Sequence, residues 1–407
     1  MHKLIILALF SFLILFKSFI SHAEDDLSQN RVVANSVVAI SNLIGDVFYE
    51  TDDKFIEDQN LPKGNTKLIN AVEAKTLEAA IESAGCTLVK RNPGGSAANT
   101  IAGMNGLGLS VGLLGTLGED ATAIDYKSSL DEKGITYRLT EAVDKARGSG
   151  SCSVFITKTE TRTHATYPVL AYFFPHYNDS KLQTTVERTM ATSLGVSGEI
   201  QVSEQDITWA SSAKFLLVEG YLFSPEMTHA SICKIAERTK ANGNHVALTL
   251  SAEFCIDRNA TQIKNFITKY TDIIVGNNKE VQKLTGTDNP YTAACTLREM
   301  MMEASTNEAK GAVTCGPEGA YVFDETEIYF IASPTVDEVV DTTGAGDQFA
   351  AGFLYELLQT KDIIRAGQLG AYCAGEVIQG LGGHPHRLLK NEADRAAAYS
   401  IHYERRA

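Results

Sequence analysis

The chain has 407 residues, of which 44% are hydrophobic and 21% charged, and a formal net charge of −14. That length and apolar content can bury a large core, while an acidic balance without a basic stripe argues against a nucleic-acid groove and for a small-molecule partner. Seven cysteines, odd in number, widely scattered and never spaced as CxxC, suggest neither a disulfide framework nor a zinc site and read as small buried hydrophobes.

In chain order, Lys3 precedes an apolar run over residues 4–16, and Ser21, His22 and Ala23 stand before an acidic stretch. Residues 1–23 read as a secretory leader cleaved after Ala23, and the run is too short for a stable membrane span. The apolar run over 32–44 reads as a buried parallel strand ending in a loop. Asp46 then lies past the strand's carboxyl end, where open α/β sheets hold ligands. β-prone residues broken by polar ones over about 47–70, and again over about 136–170, suit a small β lid whose exposed edge offers a pairing surface for a homodimer. Residues 93–100 (PGGSAANT) open a small-residue segment. There Gly94 and Gly95 let a ligand approach the backbone, and the Asn99 amide can both donate and accept.

From Val111 onward short apolar runs alternate with amphipathic stretches, and residues 215–218, 246–250, 272–275 and 312–314 are strand-like. This alternation predicts an α/β fold with a mostly parallel central sheet flanked by helices. Asn277 and Glu280, three apart, would share one helix face and together order water around Mg²⁺. The same spacing is that of a helix-capping pair, and both readings stand. Residues 312–320 read as a strand breaking into a glycine turn. In the run 341–347 (DTTGAGD), Gly344 and Gly346 leave amides uncovered where a helix begins, a ready site for phosphate. Asp347 follows in the first turn, placed to take a proton from an attacking hydroxyl.

DTTGAGD is expected by chance on the order of 10⁻⁹ per starting position, so coincidence does not explain it. The string resembles the second signature of the ribokinase-like (PfkB-type) carbohydrate kinases, and residues 93–100 resemble the first. The resemblance implies a ribokinase-like kinase domain over 32–390 with a β lid, and a C-terminal tail over 391–407. It makes Asp347 the catalytic base and Gly344, Ala345 and Gly346 the anion hole. Asp46, Gly64, Gly95 and Asn99 would bind the substrate; Asn277, Glu280, Thr314, Gly316 and Gly319 would serve ATP, with Glu280 reaching Mg²⁺ through water. A monovalent cation is left open.

Residues 217–222 (LVEGYL) and 248–258 (LTLSAEFCIDR) are similar to the adenosine-kinase-like branch. Three features depart from the family. Its lid glycine pair is here Gly64 followed by Asn65; residues 164–169 (HATYPV) replace a substrate-facing stretch; and His384, expected at the surface, precedes Pro385 where an arginine is usual. An insertion over about 170–202 exceeds the turn expected there. The implied activity is ATP-dependent phosphotransfer to a primary hydroxyl of an adenosine-like nucleoside or related sugar. A ribose- or fructose-type sugar kinase, and an exported non-catalytic binding relative, are the alternatives. The ATP requirement points to the cytoplasm, and the leader to the periplasm or outside.

Overall fold

The structure, a computed structural model, describes residues 35–64, 66–164, 180–303 and 308–406. The leader expected over 1–23, Asn65 and the polar stretch 165–179 lie outside the described residues. No helix among those described is long and apolar enough to cross a membrane.

Two sheets carry the fold. The central one has ten strands, in the order β15 (Tyr403–Arg406), β14 (Ile328–Ala332), β13 (Gly319–Phe323), β12 (Lys310–Thr314), β11 (Ile273–Asn277), β10 (His245–Thr249), β9 (Phe215–Glu219), β1 (Val37–Ile40), β5 (Val111–Gly115) and β6 (Thr136–Leu139). Every neighbouring pair from β12 to β6 is parallel, whereas β13, β14 and β15 add on antiparallel. Val38 and Ile40 enter one hydrophobic cluster and Val37 and Ala39 another, so β1 is buried on both faces. That is why its sequence is continuously apolar instead of alternating.

The second sheet is the lid, ordered β3 (Thr66–Leu68), β8 (Ser180–Ser193), β7 (Gly150–His164), β2 (Ile44–Glu50) and β4 (Thr87–Gly94). It revises several expectations. The run over 32–44 is divided: β1 ends at Ile40, and Ile44 already belongs to the lid, so Asp46 sits on a lid strand rather than in a loop beyond a central one. Ser41 and Asn42 break the run because their polar groups turn to Glu219. Residues 136–139, assigned to the lid, pair with β5 at the edge of the central sheet, and the lid resumes only at Gly150. Much of the expected insertion is β8, which pairs with β7 from Ser151↔Ser193 to His164↔Ser180. The expected tail ends in β15, hydrogen-bonded to β14.

Candidate active site

A cavity of about 370 Å³ opens where the carboxyl ends of the central strands meet the lid, and Asp46, Gly95, Asn99, Asn277, Glu280, Thr314 and Gly344 to Asp347 all line it. The helix Ala345–Thr360 begins at this cleft. Its cap residue Gly344 has φ +76°, a conformation that suits glycine, and lies so close to Gly383 that a Cβ would fall 2.3 Å from Gly383 Cα. No side chain caps this helix, and the amides of Gly346 and Asp347 have no acceptor among the described residues. A Cβ on Gly346 would meet nothing within 4 Å, so the turn opens into the cavity. Behind it, Phe349, Phe353 and Leu354 are buried, each worth about 1.5–3 kcal/mol relative to exposure, and they anchor the turn.

Asp347 Oδ1 accepts a hydrogen bond from Ser96 Oγ at 2.6 Å and Oδ2 one from Asn99 Nδ2 at 2.9 Å. Both donors stand on the helix Ser96–Gly106, so the two glycine-containing motifs meet at this carboxylate. Burial pushes Asp347 up to about 6 despite these bonds. Asp46 approaches from β2, with its carboxyl packed against Gly94, where a Cβ would lie 2.3 Å from Oδ2. Only glycine leaves that room. Burial, helped by the charge of Asp347, raises Asp46 to about 7.

Asn277 and Glu280 form a complete capping box. Asn277 Oδ1 accepts from Glu280 N at 2.9 Å, while Glu280 accepts from Asn277 N at 2.9 Å and from its Nδ2 at 2.7 Å. Glu280 is only 5% exposed and is pushed up to about 7, first by burial and then by Glu253 and Asp347. The capping role and a place on the cleft wall coexist. An acid buried without a cationic partner suits a divalent ion held mostly by nucleotide oxygens and water. Among the described residues no group of three or more acidic, His or Cys side chains is spaced to cage an ion.

Three expected contacts lie elsewhere. Gly64, at φ +75°, gives its N–H to Thr189 Oγ1 at 3.0 Å and does not line the cavity. Gly316 is in the short turn Gly316–Glu318, and Gly319 packs under β14, where a Cβ would be 2.1 Å from Ile331 O. Neither is among the residues that line the cavity. His384 is half-buried rather than at the surface, its Nδ1 3.4 Å from Lys133 Nζ. Burial and the neighbouring cations push it down to about 3.

Sequence reasoning assigned no role to Glu219. This wholly buried carboxylate accepts from Ser41 Oγ at 2.9 Å and from the amides of Asn42 and Ala97 at 2.7 Å, joining β9 to both substrate-side loops. Burial raises it to about 7. The available signal was one acid ending the otherwise apolar strand FLLVE. With Asp46, Glu280 and Asp347 it makes four carboxylates on the cleft wall, and among the described residues no Lys, Arg or His lines it.

A parallel sheet with a lid, an uncapped glycine turn and a carboxylate beside it define a class of phosphotransferase. Residues 66–175 and 180–386 match the pfkB family carbohydrate kinases, and the chain belongs to that family, with its ribokinase-like α/β fold and use of ATP. The chain is 23% identical over 342 residues to adenosine kinase 2 of Arabidopsis thaliana, spanning 80% of this chain and 89% of that protein. It is 26% identical over 291 residues to 5-dehydro-2-deoxygluconokinase of Shouchella clausii, spanning 70% and 80%. The solved adenosine kinase from Sinorhizobium meliloti aligns with a TM-score of 0.72 at 27% identity, covering 89% of this chain and 99% of that one. The protein is thus a kinase of the nucleoside and sugar group.

Proposed function

We propose that this kinase transfers the γ-phosphoryl group of ATP to a primary hydroxyl of an uncharged acceptor, an adenosine-like nucleoside or a related neutral sugar. The observation that carries the reading is the Asp347 carboxylate, set between the open turn at Gly344 and the Asp46–Asn99 wall. Asp46, Gly95 and Asn99 orient the acceptor. Asp347 takes the hydroxyl proton as the oxygen attacks phosphorus. The bond from phosphorus to the bridging oxygen breaks, ADP leaves, and the amides of Gly346 and Asp347 hold charge developing on the phosphoryl oxygens. Asn277 and Glu280 would order water around Mg²⁺, which when bound would supply the charge neutralisation that ATP needs in an acidic cleft. Closure of the lid keeps water from the transferable group.

The charge of the cleft argues for the neutral acceptor. Above about pH 7, where Asp46, Glu219, Glu280 and Asp347 are ionised, four carboxylates without a cation among the described lining residues repel a sugar acid of the gluconate kind that the Shouchella clausii relative's name points to. The test is ADP release by the purified chain with MgATP and a panel of nucleosides, ribose, fructose and a sugar acid. Nucleosides or neutral sugars should turn over and the acid should not. Asp347→Asn should lower kcat by roughly 10²–10⁴-fold. Preferred turnover of the acid, or an Asp347→Asn variant as fast as the parent, would sink this reading.

A further inference from the structure

Outside the cleft lining, one buried ion pair links the lid to the head of the glycine turn. Arg188 lies on β8, two and four residues before Met190 and Thr192, which line the cavity; strand alternation puts all three on the lid's inner face. Its Nε lies 2.5 Å from Asp341 Oδ1, and the two side chains are only 9% and 0% exposed. The guanidinium sits 5.8 Å from the ring centroid of the fully buried Phe48 on β2.

Asp341 is the first residue of DTTGAGD, and it holds more than the arginine. Oδ1 also accepts from Thr343 N at 2.8 Å, and Oδ2 from Gly382 N at 2.7 Å. Gly383, next in the chain, backs Gly344 and accepts from Gln348 Nε2 at 2.8 Å. One carboxylate therefore joins the lid, the turn and the loop behind the turn. A buried ion pair is weak evidence for stability, because desolvation offsets much of the attraction. This pair is also incomplete, since Arg188 Nη1 and Nη2 are buried with no partner among the described residues. Packing alone would favour an apolar side chain here.

We propose that Arg188 is a positioning residue that makes the working shape of the anion-binding turn conditional on lid closure. With the lid shut, Arg188 compensates Asp341, and Asp341 can hold the Thr343 and Gly382 amides in place. With the lid open the arginine leaves with β8, and Asp341 retains its charge with only those amides to meet it. Either the turn loosens or water enters, so lid position and turn geometry share one equilibrium. The proposal rests on the kinase reading of that turn.

The test compares the parent with Arg188→Met, Arg188→Lys and the double variant Arg188→Met/Asp341→Asn, which leaves no orphaned charge to prevent folding. Two readouts are taken: amide hydrogen exchange over residues 341–347 and 382–383 without ligand, and kcat and KM under turnover. Arg188→Met should speed exchange at Thr343 and Gly382 by about tenfold or more. It should lower kcat by roughly 10²-fold, as small misplacements of catalytic groups do, with the acceptor KM little changed. Arg188→Lys should recover part of both, and the double variant should lose less than the two single losses combined. Unchanged exchange overturns the proposal, whether or not kcat falls, because a direct action on the phosphoryl group would leave the unliganded turn undisturbed. If the parent shows no phosphotransfer at all, the kinase reading fails, and the exchange data still decide whether Arg188 orders the turn.

Discussion

Asp46, Glu219 and Glu280 are each pushed up to about 7 and Asp347 to about 6, chiefly by burial. A carboxyl whose folded value is raised binds its proton more tightly in the folded state, so its contribution to stability is full at low pH and is lost as pH rises through the folded value. The unliganded protein should therefore lose melting temperature between about pH 4 and 7, and a melting temperature flat over that range would contradict the burial of these acids. On the kinase reading Asp347 must be ionised, so kcat/KM should rise through about pH 6 and level off above it. A flat pH–rate profile from 5 to 8 would contradict that. At this scale Asp347 and Asn99 were legible because local motifs place them. Glu219 and Arg188 were not, since the partners of Glu219 lie 122 to 178 residues away and Arg188, on a lid strand, meets Asp341 in the loop ahead of the glycine turn. Gly319 is tightly packed against β14, and in sequence such a glycine looks the same as one that serves a ligand.

The elements that position these residues divide into two kinds. Central strands such as β9 and β10 announce themselves through continuous apolar runs, and sequence reading found them within a residue or two. The lid announced itself only in part, at β2, β3 and β7. β4 has five exposed residues in succession, from Thr87 to Arg91, and nothing in such a run distinguishes a lid edge from a surface loop. The helix Asn278–Thr285 shows how one element serves two ends, since its capping pair also lines the cleft. Asn277→Ala should remove about 1 kcal/mol of stability as a lost cap. If Asn277 also orders the metal's water shell, the same variant should need several-fold more Mg²⁺ for half-maximal rate. Loss of stability with an unchanged Mg²⁺ requirement would reduce the pair to a cap.

Across the whole molecule, the C-terminal segment was read as a tail because it lies beyond the span of the family resemblance, and Tyr-Glu-Arg-Arg has no apolar pattern to say otherwise. Its place in the sheet comes from the open backbone edge of β14 and from buried Glu356, which accepts from Tyr399 OH and Arg365 Nε, each at 2.8 Å. Such pairing depends on what the rest of the chain leaves exposed, which no local window contains. The acidity of the cleft has a further outcome for the catalytic cycle. On the proposed function a neutral acceptor arrives without electrostatic hindrance, but the phosphomonoester it becomes carries about −1.5 to −2 charges among four carboxylates, inside a protein of net charge −14. Release is then driven by repulsion, and the reverse reaction starts at a disadvantage. Product should be a poor inhibitor in dilute buffer and a better one as added salt screens the field; the opposite trend would mean that a cation guards the exit.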